Sequence, residues 1–182
     1  MNWKKTTATA LIFAGCIAAS SGSFAANASL QSEVAGLKVL GCDMYSTKTG
    51  AITRVQVECD QQKVINNFPV LQRIGLMNPD ITQTQLNLMP SMFASIFLQE
   101  ITASLIHPLY RDTPAQESVW SGDLIVADTY GHMRRATVFT FRFNRPLDGK
   151  VNWDNFNDAN LSKIAPGFAL TPWGQHVFSD LN

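Results

Sequence analysis

Residues 120–144 constrain the fold more than any other stretch of this chain. They read Trp-Ser-Gly-Asp-Leu-Ile-Val-Ala-Asp-Thr-Tyr, then Gly131-His132, then Met-Arg-Arg-Ala-Thr-Val-Phe-Thr-Phe-Arg-Phe-Asn. Phe139, Phe141 and Phe143 alternate with Thr140 and Arg142, so one face of a strand is aromatic and the other polar. Taking Gly131-His132 as a two-residue type II′ turn predicts a β-hairpin. That register sets Trp120 opposite Phe143, Gly122 opposite Phe141, Leu124 opposite Phe139 and Val126 opposite Thr137. On the reverse it pairs Ser121 with Arg142, Asp123 with Thr140, and Asp128 with Arg135. A slip of one residue would turn the aromatic set away from the core.

A first hairpin is expected from strands 37–45 and 51–59 around Ser46-Thr-Lys-Thr-Gly50. Thr53, Val55, Val57 and Cys59 share one face, and Arg54, Gln56 and Glu58 the other. Leu40, Cys42 and Met44 form the apolar face of the partner strand. Cys42 and Cys59 thus meet near the open end, where a disulfide would close a loop of about 18 residues worth about 3 kcal/mol.

Between the hairpins the pattern is helical. Residues 29–35 are polar and suit a frayed end or a short helix. Pro69 can open a short helix that stops near Gly75, and Asn78-Pro79-Asp80 carries N-cap, first-turn proline and dipole signals. Met92, Phe93, Ile96, Phe97, Ile101 and Leu105 form an apolar stripe, predicting a main helix over 90–106 that His107-Pro108 ends. After the second hairpin come a turn at 144–149, a short strand at 150–153 and an apolar tail. That tail should wrap the body, with a short helix around Leu161. The expected fold is α+β: an antiparallel sheet built from two β-hairpins with the main helix packed on one face.

The N-terminus predicts export. Lys4 and Lys5 precede a short apolar run over 6–20, and small-x-small sites end at Ala25 and Ala28. Residues 1–28 are read as a signal peptide and 29–182 as one globular domain, periplasmic or secreted. Phe13-Ala14-Gly15-Cys16 gives an alternative, an outer-membrane lipoprotein anchored through Cys16, although Phe13 stands where leucine is usual. The 14 basic and 14 acidic side chains balance. Losing Lys4 and Lys5 leaves a weakly acidic chain, without the clustered positive surface that nucleic acid requires. Beyond the leader, the run 89–106 comes nearest to a membrane span, but Gln99 and Glu100 interrupt it.

Catalytic patterns are sparse. His107, His132 and His176 lack a second ligand at metal spacing, no Gly-x-Ser-x-Gly elbow occurs, and both mature cysteines are committed to the bridge. Asp148, Asn152, Asp154, Asn155, Asn157 and Asp158 form an oxygen-rich patch whose spacing does not match a calcium loop and which turn chemistry explains. No metal or cofactor is expected. The leading expectation is a non-catalytic binding or assembly accessory of the bacterial envelope. Its partner would be another envelope protein, met through Ser121, Asp123 and Arg142 on the polar reverse of the hairpin. The rival is a small exported hydrolase that joins His107, His132 or His176 to Asp123 or Asp128.

Overall fold

The computed structural model describes residues 29–73, 80–128, 130–153, 156 and 160–179, with the side chains of 178 and 179 excepted. Residues 1–28 with the Cys16 motif, Asn78-Pro79 and most of the oxygen-rich patch lie outside the described residues.

The chain opens with α1 (Leu30–Val39), in which Ser29 Oγ accepts from the Ser32 amide at 3.2 Å. Leu37, expected in a strand, is helical because its side chain is fully buried on that turn. Gly41 then takes φ 83°, a left-handed turn that favours glycine. It delivers the chain into β1 (Cys42–Thr49), which pairs antiparallel with β2 (Ile52–Asp60), Cys42 facing Cys59 and Thr49 facing Ile52. Ser46 to Thr49 are therefore strand residues, and the turn is only Gly50-Ala51. The Cys42–Cys59 disulfide is present, with Cα atoms 4.0 Å apart and both residues fully buried.

Asp60 caps α2 (Gln61–Asn66), and α3 (Phe68–Arg73) follows. The next described helix, α4 (Gln83–Leu88), starts at a reciprocal Thr82/Gln85 capping box. Pro90 begins α5, which runs to Asp112 and does not stop at His107-Pro108. Pro108 donates nothing to the preceding turn, yet Leu109 and Tyr110 beyond it are buried at 2% and 0% exposure. Their packing, together with the Tyr110 hydroxyl bonded to Ser118 Oγ at 2.5 Å, offsets the lost bond. By length and composition α5 could cross a membrane, but 72% of its apolar window is buried inside the protein, the behaviour of a core helix.

The sheet has the order β1-β2-β3-β4-β5. It is mixed, not purely antiparallel: β2 and β3 (Glu117–Ala127) run parallel, with Val55 beside Trp120 and Glu58 beside Asp123. The helices between them carry the chain back to the end where β2 began, and such a crossover makes the next strand parallel. β3 pairs antiparallel with β4 (Met133–Asn144), but Trp120 faces Phe141 and Gly122 faces Phe139, two residues off the expected register. The reason is the loop. Asp128 Oδ1 accepts from the amides of Tyr130 at 2.8 Å and His132 at 2.9 Å, closing a connection over 128–132 instead of a two-residue turn. An even shift keeps the rings on the core face. A bulge beside Gly122 then sets Asp123 against Thr137, Leu124 against Ala136 and Val126 against Arg134. Ser121 consequently faces Thr140, Arg142 faces Val119 and Arg135 faces Ile125, so the expected Asp128–Arg135 pair does not form.

Trp120 stacks on Phe141 with centroids 5.8 Å apart, and Phe139 lies over Gly122. The described buried residues form one cluster between this face and α5. α6 (Arg145–Asp148) replaces the expected turn, and residues 150–153 are turn rather than strand. The tail supplies α7 (Leu161–Ile164), β5 (Ala169–Leu170) on the edge of β4, and α8 (Pro172–Ser179), whose Gly174 abuts the Val138 carbonyl.

Candidate functional site

Two constellations emerge, one on the sheet and one at the end of α5. On the sheet, the residues alternating with the core set point away from α5. Across β2, β3 and β4 they form two rows, Gln56–Ser121–Thr140 and Glu58–Asp123–Thr137. Ser121 and Asp123, expected as binding residues, thus stand two positions apart on one strand face. Ser121 is half-buried, while Asp123 is 3% exposed and its Oδ1 has no hydrogen-bond partner among the described residues. Arg142 is exposed farther along the face, and its guanidinium turns to Glu117 Oε1 at 3.4 Å. The three share a face, but Arg142 is not joined to the other two.

Glu58 and Arg135 belong to this constellation and are absent from the sequence-based set. Arg135 Nε donates to Glu58 Oε2 at 2.6 Å, and Nη2 forms an ion pair with the same oxygen at 2.5 Å. The alternation Arg54, Gln56, Glu58 already placed Glu58 on the polar face. What hid its role was the parallel pairing of β2 with β3, which sets it beside Asp123.

The second constellation joins His107 to Asp148, a pairing absent from the sequence-based combinations. His107 lies on α5, and α6 is capped by Asn144 Oδ1 accepting from the Leu147 amide. This places the Asp148 oxygens 3.1 and 3.3 Å from His107 Nδ1. Asp148 is buried, and its carbonyl accepts from Trp153 Nε1 at 3.1 Å. The Trp153 ring stacks on the imidazole at 5.8 Å. Such an arrangement orients an imidazole so that Nε2 can exchange protons with a bound molecule. Ser104, one turn back on α5, donates its hydroxyl to the Ile101 carbonyl rather than to His107.

His132 Nδ1 is 3.6 Å from Asp128 Oδ2 on an exposed loop, and His176 is exposed on α8. Within the oxygen-rich patch, Asp148 is taken by His107 and Asn152 is exposed. Among the described residues no group of three or more His, Cys, Asp or Glu is placed to hold a metal ion.

Titration is shifted near the junction of α1 and α5. The Arg111 side chain and the Leu30 amide, both bonded to Asp112, hold its carboxyl down at about 2. Burial raises the Glu33 carboxyl, with Arg111 opposing. Burial also pushes the Tyr110 phenol up to about 12, against the Ser118 hydrogen bond.

No protein-family model, curated protein or solved structure matches the chain.

Proposed function

We propose that this is an exported protein of the bacterial envelope, periplasmic or secreted, which binds another envelope protein through the outer sheet face. In this reading the β1–β2 and β3–β4 pairs are the two expected hairpins, and residues 1–28 are the leader. The observation that carries it is Asp123 Oδ1, buried and without a partner at the centre of a face that α5 does not cover. An unpaired buried polar group costs free energy that a partner's donor would recover. The disulfide is compatible with an oxidising compartment. The test is site-specific photocrosslinking in cells from Thr140 or Arg54 on the face, with Gln175 on α8 as control. One adduct of constant mass, formed from the face positions only, is expected; equal labelling from Gln175 would overturn the assignment of the face.

The His107–Asp148 pair favours a second reading, a small hydrolase in which His107 activates water. Screening ester and amide substrates with the wild type and the His107→Gln variant decides it. Turnover that His107→Gln leaves intact would eliminate this reading. The lipoprotein alternative is decided by the mass of the mature N-terminus: acylated Cys16, or an unmodified start near Ser29.

A further inference from the structure

The sheet order gives Arg135 an unusual path. β3 lies between β2 and β4. A β4 side chain therefore reaches Glu58 on β2 only by crossing the outer side of β3. The registers place that crossing beside Asp123, the neighbour of Glu58, and Ile125, the neighbour of Arg135. Arg135 gives Glu58 Oε2 a hydrogen bond from Nε and an ion-pair contact from Nη2, and Gln56 Nε2 adds a longer contact of 3.4 Å to the same oxygen. Asp123, beside Glu58 on the neighbouring strand, has its Oδ1 unpartnered among the described residues.

We propose that Asp123 and Glu58 form a receptor for the guanidinium or ammonium side chain of a basic partner segment, and that Arg135 is an internal occupant which the partner's cation displaces. This rests on the binding reading above and names the chemistry of its partner. Two facts favour an organic cation over a metal ion. Glu58 already holds a guanidinium, and the described carboxylates and histidines supply no three-ligand group. Exchange is possible because the Arg135 side chain is 54% exposed and can turn out toward water, whereas Glu58, 16% exposed, retains its need for a cation. The incoming cation gains what Arg135 does not take, a charge-assisted bond to the buried Asp123 oxygen.

Calorimetric titration of the purified exported protein with a hexa-arginine peptide tests this, with hexa-glutamate and calcium chloride as comparisons. Arg135→Ala should tighten hexa-arginine binding about tenfold by removing the competitor. Adding Asp123→Asn to that variant should abolish the gain, whereas Glu117→Gln, an acid engaged with Arg142, should leave it intact. Thermal unfolding of each variant verifies that the fold is kept. Equal affinity of wild type and Arg135→Ala, an undiminished gain in the double variant, or calcium binding tighter than the peptide would each overturn the receptor. The Thr140 crosslink separates the two ideas. If it persists while the peptide result fails, only the cation receptor is wrong; if it is absent while the peptide binds as expected, the envelope-partner reading is wrong.

Discussion

His107 Nδ1 sits 3.1 Å from Asp148 Oδ1, joining α5 to the short helix after β4 across 41 positions of sequence. Asp148 is buried, so removing the imidazole leaves its carboxylate with fewer hydrogen-bond partners. His107→Ala should lower unfolding stability by about 1–2 kcal/mol. Chemical denaturation at neutral pH measures it, and Asp148→Asn, which keeps an oxygen toward the ring, should lose less.

Gly122 tests the bulge. A Cβ there would stand 2.3 Å from Phe139 Cζ, so the ring must move or the strands must part. Gly122→Ala should destabilise by about 2 kcal/mol. Phe139→Leu, costly alone, should recover part of that loss when combined with it. Purely additive effects in the double-mutant cycle would show that the ring does not lie over the glycine.

These rings also mark what sequence alone conveyed. The alternation at Phe139, Phe141 and Phe143 identified strand and core face, and Cys42 and Cys59 announced their own pairing. The partner of each ring was missed by two positions, because Asp128 folds its loop through two backbone amides that no spacing rule reveals. Pro108 was read by a local rule, while burial of Leu109 and Tyr110, a tertiary effect, kept the helix going. The His107–Asp148 and Glu58–Asp123 neighbours are joined by tertiary folding and by a parallel pairing, so local periodicity could not announce them.

Acid should loosen α1 from α5. The Asp112 carboxyl is lowered to about 2 in the fold by Arg111 and the Leu30 amide. Its contribution is complete above the unfolded carboxylate range and disappears as pH falls toward 2. Relative to its intrinsic rate at each pH, the Leu30 amide should lose protection from exchange over that interval, and Asp112→Ala should show that low protection throughout. Glu33 has the opposite sign. Its raised value means that its contribution is present below the unfolded range and lost as pH rises through the folded value. Glu33→Gln should therefore gain stability at pH 8 relative to pH 4, read from urea midpoints.

Alkali should act through Tyr110. Its phenol, raised to about 12 chiefly by burial, contributes stability that is complete below the ordinary tyrosine value of 10.0 and is lost as pH climbs from there to about 12. Tyr110→Phe should flatten the decline in stability over that interval. The phenolate absorbance of the wild type should contain a component that rises only toward pH 12 and that Tyr110→Phe lacks.

Reduction should cost the protein about 3 kcal/mol, because the Cys42–Cys59 bridge closes a loop of separation 17. Urea midpoints with and without dithiothreitol measure it. The paired Cys42→Ala/Cys59→Ala variant should match the reduced protein.

The parallel pairing of β2 with β3 also has a kinetic consequence. Ile52 and Glu117 are neighbours in the sheet but sixty-five positions apart in the chain. Closing so long a loop is slow relative to the local β1–β2 and β3–β4 pairings. The middle of the sheet is then the last part to assemble, after the chain of the crossover helices has returned β3 to the side of β2. Until it closes, β2 and β3 each present an open edge, and that interval is when the chain is most exposed to aggregation.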